Sequence, residues 1–392
     1  MSVANARAWQ RTFSRSPLWV TGVTVALLAL GFNRSRPPDP TSSRPTGDER
    51  GSRVITTQRG RGRAATTPSE VPPRGWKDIL FRIWQNIGKD RVIVVAAGVT
   101  FYAVLALFPA IAALVALYGL FADPSTITSH LDSIAGLVPA GAIEVIRDQI
   151  TRVASQGGAT LGLTFLVGLL ASLWSANAGI KSLFDALNLV YNETEKRSFV
   201  WLNVIALTFT VLAIAFVLVA IGAIVVVPTV LNFVGLAGAT EMLVKIARWP
   251  ALFIVVSLAL AFIYRYGPSR EKPRWRWITW GSAFAALSWL AVSILFSWYA
   301  ESFGNYNKTY GSLGAIIAFM FWIWLSIIVI LIGGELNAET EHQTVRDTTT
   351  GRPKPMGARG ATMADTVGAK QDETAKAHDG VSDGPDSLSM MR

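Results

Sequence analysis

The feature that most constrains this chain is a set of six long stretches without a single Asp, Glu, Lys, Arg or His: Val92–Ala122, Val153–Ile180, Ser198–Thr240, Trp249–Tyr264, Trp277–Ala300 and Thr309–Gly334. A helix that crosses the hydrocarbon core of a bilayer needs about 20 apolar residues. Five runs reach that length. The sixth, Trp249–Tyr264, has 16 residues, but Arg248 and Arg265 flank it and their long side chains can extend to the interfaces. In lipid every backbone N–H and C=O must be satisfied within the segment, so these runs are expected to be helices. The sequence therefore predicts an all-α fold, a polytopic membrane bundle of about six transmembrane helices. Only 16% of the residues are charged, against about 25% in soluble domains, which agrees.

The connecting segments set an orientation. Lys181–Arg197 contains Lys181, Lys196 and Arg197, and Arg265–Arg276, with Arg265, Arg270, Lys272, Arg274 and Arg276 against Glu271 alone, is the densest basic segment; Asp123–Arg152 is acidic. Because Lys and Arg near span ends favour the cytoplasm, six spans with both ends of the bundle inside satisfy every loop. The C-terminus is then cytoplasmic. Trp201, Trp249, Trp275, Trp277 and Trp298 fall near span ends, where an aromatic belt is expected.

Three regions follow. Residues 1–75 form an N-terminal arm with a hydrophobic segment at 17–32, a candidate seventh span or surface helix, and a basic linker whose Pro, Gly, Ser and Thr predict disorder. Arg7, Arg11 and Arg15 also suit the start of a signal peptide, although no small-residue cleavage site follows. Residues 76–340 make the membrane domain. Residues 341–392 read as a disordered, polar cytoplasmic tail. Within the first outer loop, apolar residues at helical spacing (Ile143, Ile146, Ile150 and Val153 among them) suggest two short helices, Thr126–Leu137 and Ala140–Val153, broken at Pro139 and lying on the outer surface or capping the bundle.

Several chemistries are excluded. With no cysteine there is no disulfide, thiolate metal site or cysteine nucleophile. Three scattered histidines, His130, His342 and His378, do not make a metal cluster. No GxxxxGK[ST] phosphate loop occurs. No cofactor or metal is expected, and no catalytic residue.

The candidate site is a polar face inside the membrane. Asn177, Lys181, Asp185 and Asn188 follow Trp174 at spacings that align them on one side of a helix. Polar groups at that depth are costly and usually face a bundle interior or wet cavity. They read either as the lining of a substrate path or as a helix leaving the membrane with Lys181 and Asp185 paired. Pro109, in the middle of the first run, is a candidate hinge or a structural kink. Glu301 and the turn Asn305, Tyr306, Asn307 and Tyr310 are candidate outer-face groups. Glu335 lies at the inner end of the last run, either exposed, paired with an arginine, or buried against Lys181 or Arg265.

Four stretches carry a family resemblance: AAGVTFYAVLALFPA at 96–110, LWSANAGIKSLFDALNLVYNETEKRSF at 173–199, FIYRYGPSREKPRWRWITWGS at 262–282, and NYNKTYGSLGAIIAFMFWIWLSIIVILIGGELNAE at 305–339. In their order and spacing the chain resembles the YihY/BrkB family of bacterial inner-membrane proteins, labelled virulence factor BrkB or, on older grounds, ribonuclease BN. Trp280 and Gly334 depart from the family's common residues. The resemblance implies six spans, a plasma-membrane location and a transport-like or envelope role. It carries over no catalytic residue. Clustered metal ligands for phosphodiester cleavage are missing from the sequence, which argues against a ribonuclease. The leading expectation is a non-enzymatic protein that moves or binds a small solute or lipid; the alternative is a membrane scaffold for envelope assembly or stress or serum resistance. Expected partners are membrane lipids and that unidentified solute or lipid. No nucleic acid is expected, and a homo-oligomer is left open.

Overall fold

The computed structural model describes residues 47–118, 147, 163–233, 237–302 and 312–371. The hydrophobic segment 17–32, the surface helices expected within 126–153 (Arg147 apart), and Asn305, Tyr306, Asn307 and Tyr310 lie outside them. The described chain from Gly47 onward belongs to one compact unit. It is helical: α1 Gly47–Thr57, α2 Pro73–Lys89, α3 Val92–Tyr118, α4 Leu163–Val190, α5 Phe199–Phe233, α6 Ala237–Tyr266, α7 Trp275–Ser302, α8 Ser312–Glu341 and the short α9 Thr362–Asp365.

The six charge-free runs coincide with α3 to α8. Four of these helices, α5 to α8, are by themselves long and apolar enough to cross a membrane, and α2 with α3 makes a fifth if that bent pair is one span. The protein is a multi-pass helical membrane protein. The bend between α2 and α3 is 61°. It is made by Arg91, whose left-handed φ of 49° ends one helix as the next begins. α3 itself continues through Pro109 without interruption, so the sharp break lies ahead of the span and not at the proline. α2 begins on Pro73, suited to a first helical position. It buries Asp78, Ile79, Arg82 and Ile83 on one face and exposes Leu80 and Trp84 on the other.

α8 is central. Ile327, Val329, Leu331 and Ala338 pack with Val92, Ala96 and Val99 of α3, Leu187 and Val190 of α4, Leu260 and Tyr264 of α6, and Ala285 and Ala286 of α7. Lipid supplies little hydrophobic force between helices, so close approach and polar ties must hold them together. α7 and α8 meet through glycines: a Cβ on Gly333 would lie 2.6 Å from that of Ala285, and one on Gly281 would strike the Gly333 carbonyl. Trp289 donates to Ser326 at 3.0 Å, Trp322 to Ser293 at 3.2 Å, and Trp324 to the Ile93 carbonyl at 3.0 Å. α3 approaches α4 at Gly179, where an added Cβ would stand 3.2 Å from that of Ala106. Gly98 and Gly168, small residues that look equally suited to close packing, have no such neighbour. Trp277 is buried in the bundle and not in an outer belt, whereas Trp201, Trp249, Trp275 and Trp298 are exposed.

Both flanks of the membrane domain correct the expectation of disorder. Thr344, Thr348 and Thr349 are fully buried, and Arg359, Ala361 and Met363 nearly so. The segment folds because its polar groups find partners in protein. Pro273 and Thr349 form an antiparallel bridge, Arg274 N–H donates to the Thr348 carbonyl at 2.9 Å, and Arg359 donates to the Val345 carbonyl at 2.7 Å. The linker ahead of α2 joins the same layer: Arg63, 2% exposed, donates to the carbonyls of Gln343 and Gly368 at 3.1 and 2.7 Å. Composition predicted that neither segment could bury enough apolar surface. Backbone pairing over the end of the bundle removes that requirement for residues 47–75 and 342–371.

Candidate functional site

The polar residues expected on one helical face divide among three environments. Asn177, fully buried, donates to Asn203 Oδ1 on α5 at 3.0 Å, and Lys181 Nζ donates to the same oxygen at 3.0 Å. Asn203 in turn donates to the Phe199 carbonyl at 2.8 Å, and the Lys181 ammonium stands 5.7 Å from the centre of the Trp174 ring. Asn203 is the partner that spacing along α4 alone does not reveal. Asp185 is exposed and unpaired with Lys181. Asn188 is a loop clamp: its Oδ1 accepts from Ser269 N–H at 2.7 Å and its Nδ2 donates to Glu195 at 3.0 Å. The four residues thus form an α4–α5 hydrogen-bond cluster, an exposed carboxylate and a tie from α4 to two loops, and not one continuous lining. Glu301 lies in the last turn of α7, and its side chain lies outside the described ones.

Glu335 is fully buried and meets neither Lys181 nor Arg265. Neither carboxylate oxygen receives a hydrogen bond among the described residues. Its charged or polar neighbours are Asp90, Glu339 and Asn86. Burial pushes the Asp90 carboxyl above its ordinary range. One helical turn on, Glu339 is paired with Arg82 and accepts from Asn86 at 2.9 Å. Two residues further, Glu341 pairs with Arg270 at 2.6 Å, both side chains fully buried, and accepts from Thr348 at 2.8 Å. Arg270 also lies 4.9 Å from the centre of the Tyr191 ring. Burial alone would lower its pKa, but Glu341 outweighs that and holds the guanidinium charged.

The basic segment 265–274 is built into this layer. Arg197 donates to the Gly267 carbonyl at 2.8 Å and pairs with Glu195 at 2.7 Å. Burial would raise the Glu195 carboxyl, but hydrogen bonds from Arg197 and Asn188 prevail and bring it down to about 2. Lys196 pairs with Glu193 at 2.6 Å, and the second oxygen of Glu193 accepts from Thr362 N–H at 2.6 Å. Arg265 donates to the Pro273 carbonyl and lies 4.6 Å from the centre of the Trp275 ring.

Beside this layer opens a groove of about 1330 Å³ between α5 and α6. It exists because α5 packs on α4, with Phe184 and Phe209 ring centres 5.4 Å apart, while α6 packs on α7, so the two helices diverge. The walls are apolar, with Val204, Leu212 and Phe216 on α5 and Val255, Leu258 and Phe262 on α6. Val204, Leu212, Phe216, Leu258 and Phe262 are all exposed, as side chains facing lipid are. One end is rimmed by Lys196, Arg197, Arg265, Arg270 and Lys272 against Glu271. The α6 wall, Val255 to Tyr266, is about 17 Å long at 1.5 Å per residue, close to half of a bilayer core of about 30 Å.

These features define a multi-pass helical membrane protein with a laterally open, amphiphilic groove. The chain belongs to the family described as virulence factor BrkB, whose model matches residues 83–357. That match runs beyond α8 into the packed tail. The chain is 30% identical over 270 residues to a ribonuclease-like protein, YfkH, of Bacillus subtilis (strain 168), covering 67% of this chain and 93% of that one. It is 27% identical over 268 residues to a UPF0761 membrane protein of Alkalilimnicola ehrlichii, covering 66% of this chain and 57% of the relative. A UPF0761 membrane protein of Methylibium petroleiphilum is 23% identical over 279 residues, with 67% and 62% covered. The chain therefore spans nearly all of the first relative but less than two thirds of the other two. No solved structure matches it.

Proposed function

We propose that this protein has a non-enzymatic, transport-like role in a bacterial plasma membrane, handling a lipid or a small solute that enters from the bilayer. The observation that carries the reading is the groove between α5 and α6: apolar along its length, open to the side and charged at one end. A solute arriving from water needs a polar path through the bundle, and the polar residues of α4 are instead engaged with Asn203, Ser269 and Glu195. An amphiphile already in the membrane needs only a lateral opening and a polar terminus. The density of arginine and lysine in 265–276 favours a cytoplasmic location for that terminus and for the packed tail.

The name of the Bacillus relative does not favour an RNA-cleaving alternative here. Metal-assisted phosphodiester cleavage needs clustered ligands, and among the described residues no group of three His, Cys, Asp or Glu side chains could hold a metal ion.

The test is reconstitution of the full chain into vesicles carrying a fluorescent phospholipid in both leaflets. Transbilayer movement should exceed that of protein-free vesicles, and Leu212→Trp with Leu258→Trp, which narrow the groove, should suppress it. Movement at the protein-free rate under energised and non-energised conditions would overturn the reading.

A further inference from the structure

The charged end of the groove differs from the other ion pairs of this layer. Lys196, Arg197 and Arg270 each have a carboxylate, from Glu193, Glu195 and Glu341. Arg265 and Lys272 have none among the described residues. The one carboxylate on the rim, Glu271, is turned 4.0 Å from Lys354, with both side chains substantially exposed. Among the described residues the rim therefore carries positive charge without a paired carboxylate.

One of its donors is also unmet. Arg265 is 9% exposed, and its Nε has no acceptor among the described residues, whereas the fully buried Arg270 side chain is enclosed with Glu341. Buried N–H groups nearly always find a partner, and those of a guanidinium match the oxygens of a phosphate or carboxylate. Around them stands an aromatic mouth: Phe262 and Trp275 ring centres are 5.3 Å apart, Tyr266 stacks on Phe262 at 6.0 Å, and Lys272 Nζ lies 5.1 Å from the Tyr266 ring centre. Tyrosine and tryptophan at this position suit the headgroup level of a membrane.

The geometry points to a seat for an anionic phospholipid of one leaflet, its phosphate held by Arg265 and Lys272 and its acyl chains along the α5–α6 walls. Three observations carry it: the uncompensated rim, the Arg265 Nε without an acceptor among the described residues, and an α6 wall about half a bilayer deep. A soluble phosphate would use the rim but leave the walls empty. A zwitterionic lipid would bring its own cation against a rim that already has an excess. The inference rests on the proposed handling of an amphiphile and names its class.

The test uses full-length protein in phosphatidylcholine vesicles with spin-labelled phosphatidylglycerol or spin-labelled phosphatidylcholine. Phosphatidylglycerol should associate about thirtyfold more strongly at low salt, the scale expected of two uncompensated cations near a membrane surface. Lys272→Gln, at an exposed side chain, should remove a severalfold part of that preference, and Lys272→Gln with Arg265→Gln should bring it close to one. Leu212→Trp with Leu258→Trp should remove it with the rim intact. An equal affinity for the two lipids, or a preference unchanged in the rim variants, would overturn the proposal. So would a preference that glycerol phosphate abolishes while the wall variants leave it intact, since that describes a soluble-anion site. Unaltered thermal melting, followed by tryptophan fluorescence, certifies that each variant is folded; Lys272→Gln is decisive if Arg265→Gln is not. Lipid selectivity without transbilayer movement would sink the transport reading and spare this one, and movement without selectivity would do the reverse.

Discussion

Arg270 and Glu341 offer the sharpest test of how the basic end of the bundle is held together. The pair joins the 265–274 segment to the last turn of α8 at 2.6 Å, with both side chains fully buried. Arg270→Met leaves the Glu341 carboxylate buried with Thr348 as its one remaining donor among the described residues. Removing one partner of a buried pair costs about 3–5 kcal/mol, because an uncompensated charge remains. The lost contact with the Tyr191 ring adds about 0.5–1 kcal/mol. Glu341→Leu strands Arg270 in the same way and should cost a similar amount. Replacing both removes the stranded charge, so Arg270→Met with Glu341→Leu should be far less damaging than the two losses added together, with a coupling of at least about 2 kcal/mol. The assay is unfolding of detergent-solubilised protein by denaturant, read by tryptophan fluorescence on all four members of the cycle. If the two single losses simply add, the pair does not act as a unit and the buried-charge argument fails.

Two further outcomes follow from the packing and the charges. Gly333→Ala should destabilise the α7–α8 crossing by about 1–3 kcal/mol, since its Cβ would stand 2.6 Å from Ala285. Gly98→Ala, with open space around it, should be neutral or gain up to about 1 kcal/mol of helix propensity; equal melting of the two variants would refute the assigned crossing. Glu195 contributes stability above the ordinary carboxyl pKa of 4.5, and this should be lost as pH falls from there toward its folded value of about 2. A Glu195→Gln variant should show a shallower acid-side decline in melting temperature, and an identical pH profile would remove the Arg197–Asn188 account.

The sequence by itself determined that this chain is a helical membrane protein, because an uncharged run of 20 or more residues has few stable alternatives in water and backbone polar groups in lipid have none but helices and barrels. α3 to α8 therefore fall where the charge-free runs place them. Only the tertiary structure decided what the polar residues do. Asn177 and Lys181 share a helical face with Asn188, but Asn203 arrives from α5 and Ser269 from the loop after α6, and periodicity along one helix carries no knowledge of either. For the same reason composition marked 342–371 as unable to fold, whereas the carbonyls and amides of distant loops give it partners. The groove is the clearest case: it comes from α5 leaning on α4 and α6 on α7, a divergence of two helices adjacent in the chain that no local pattern of residues encodes.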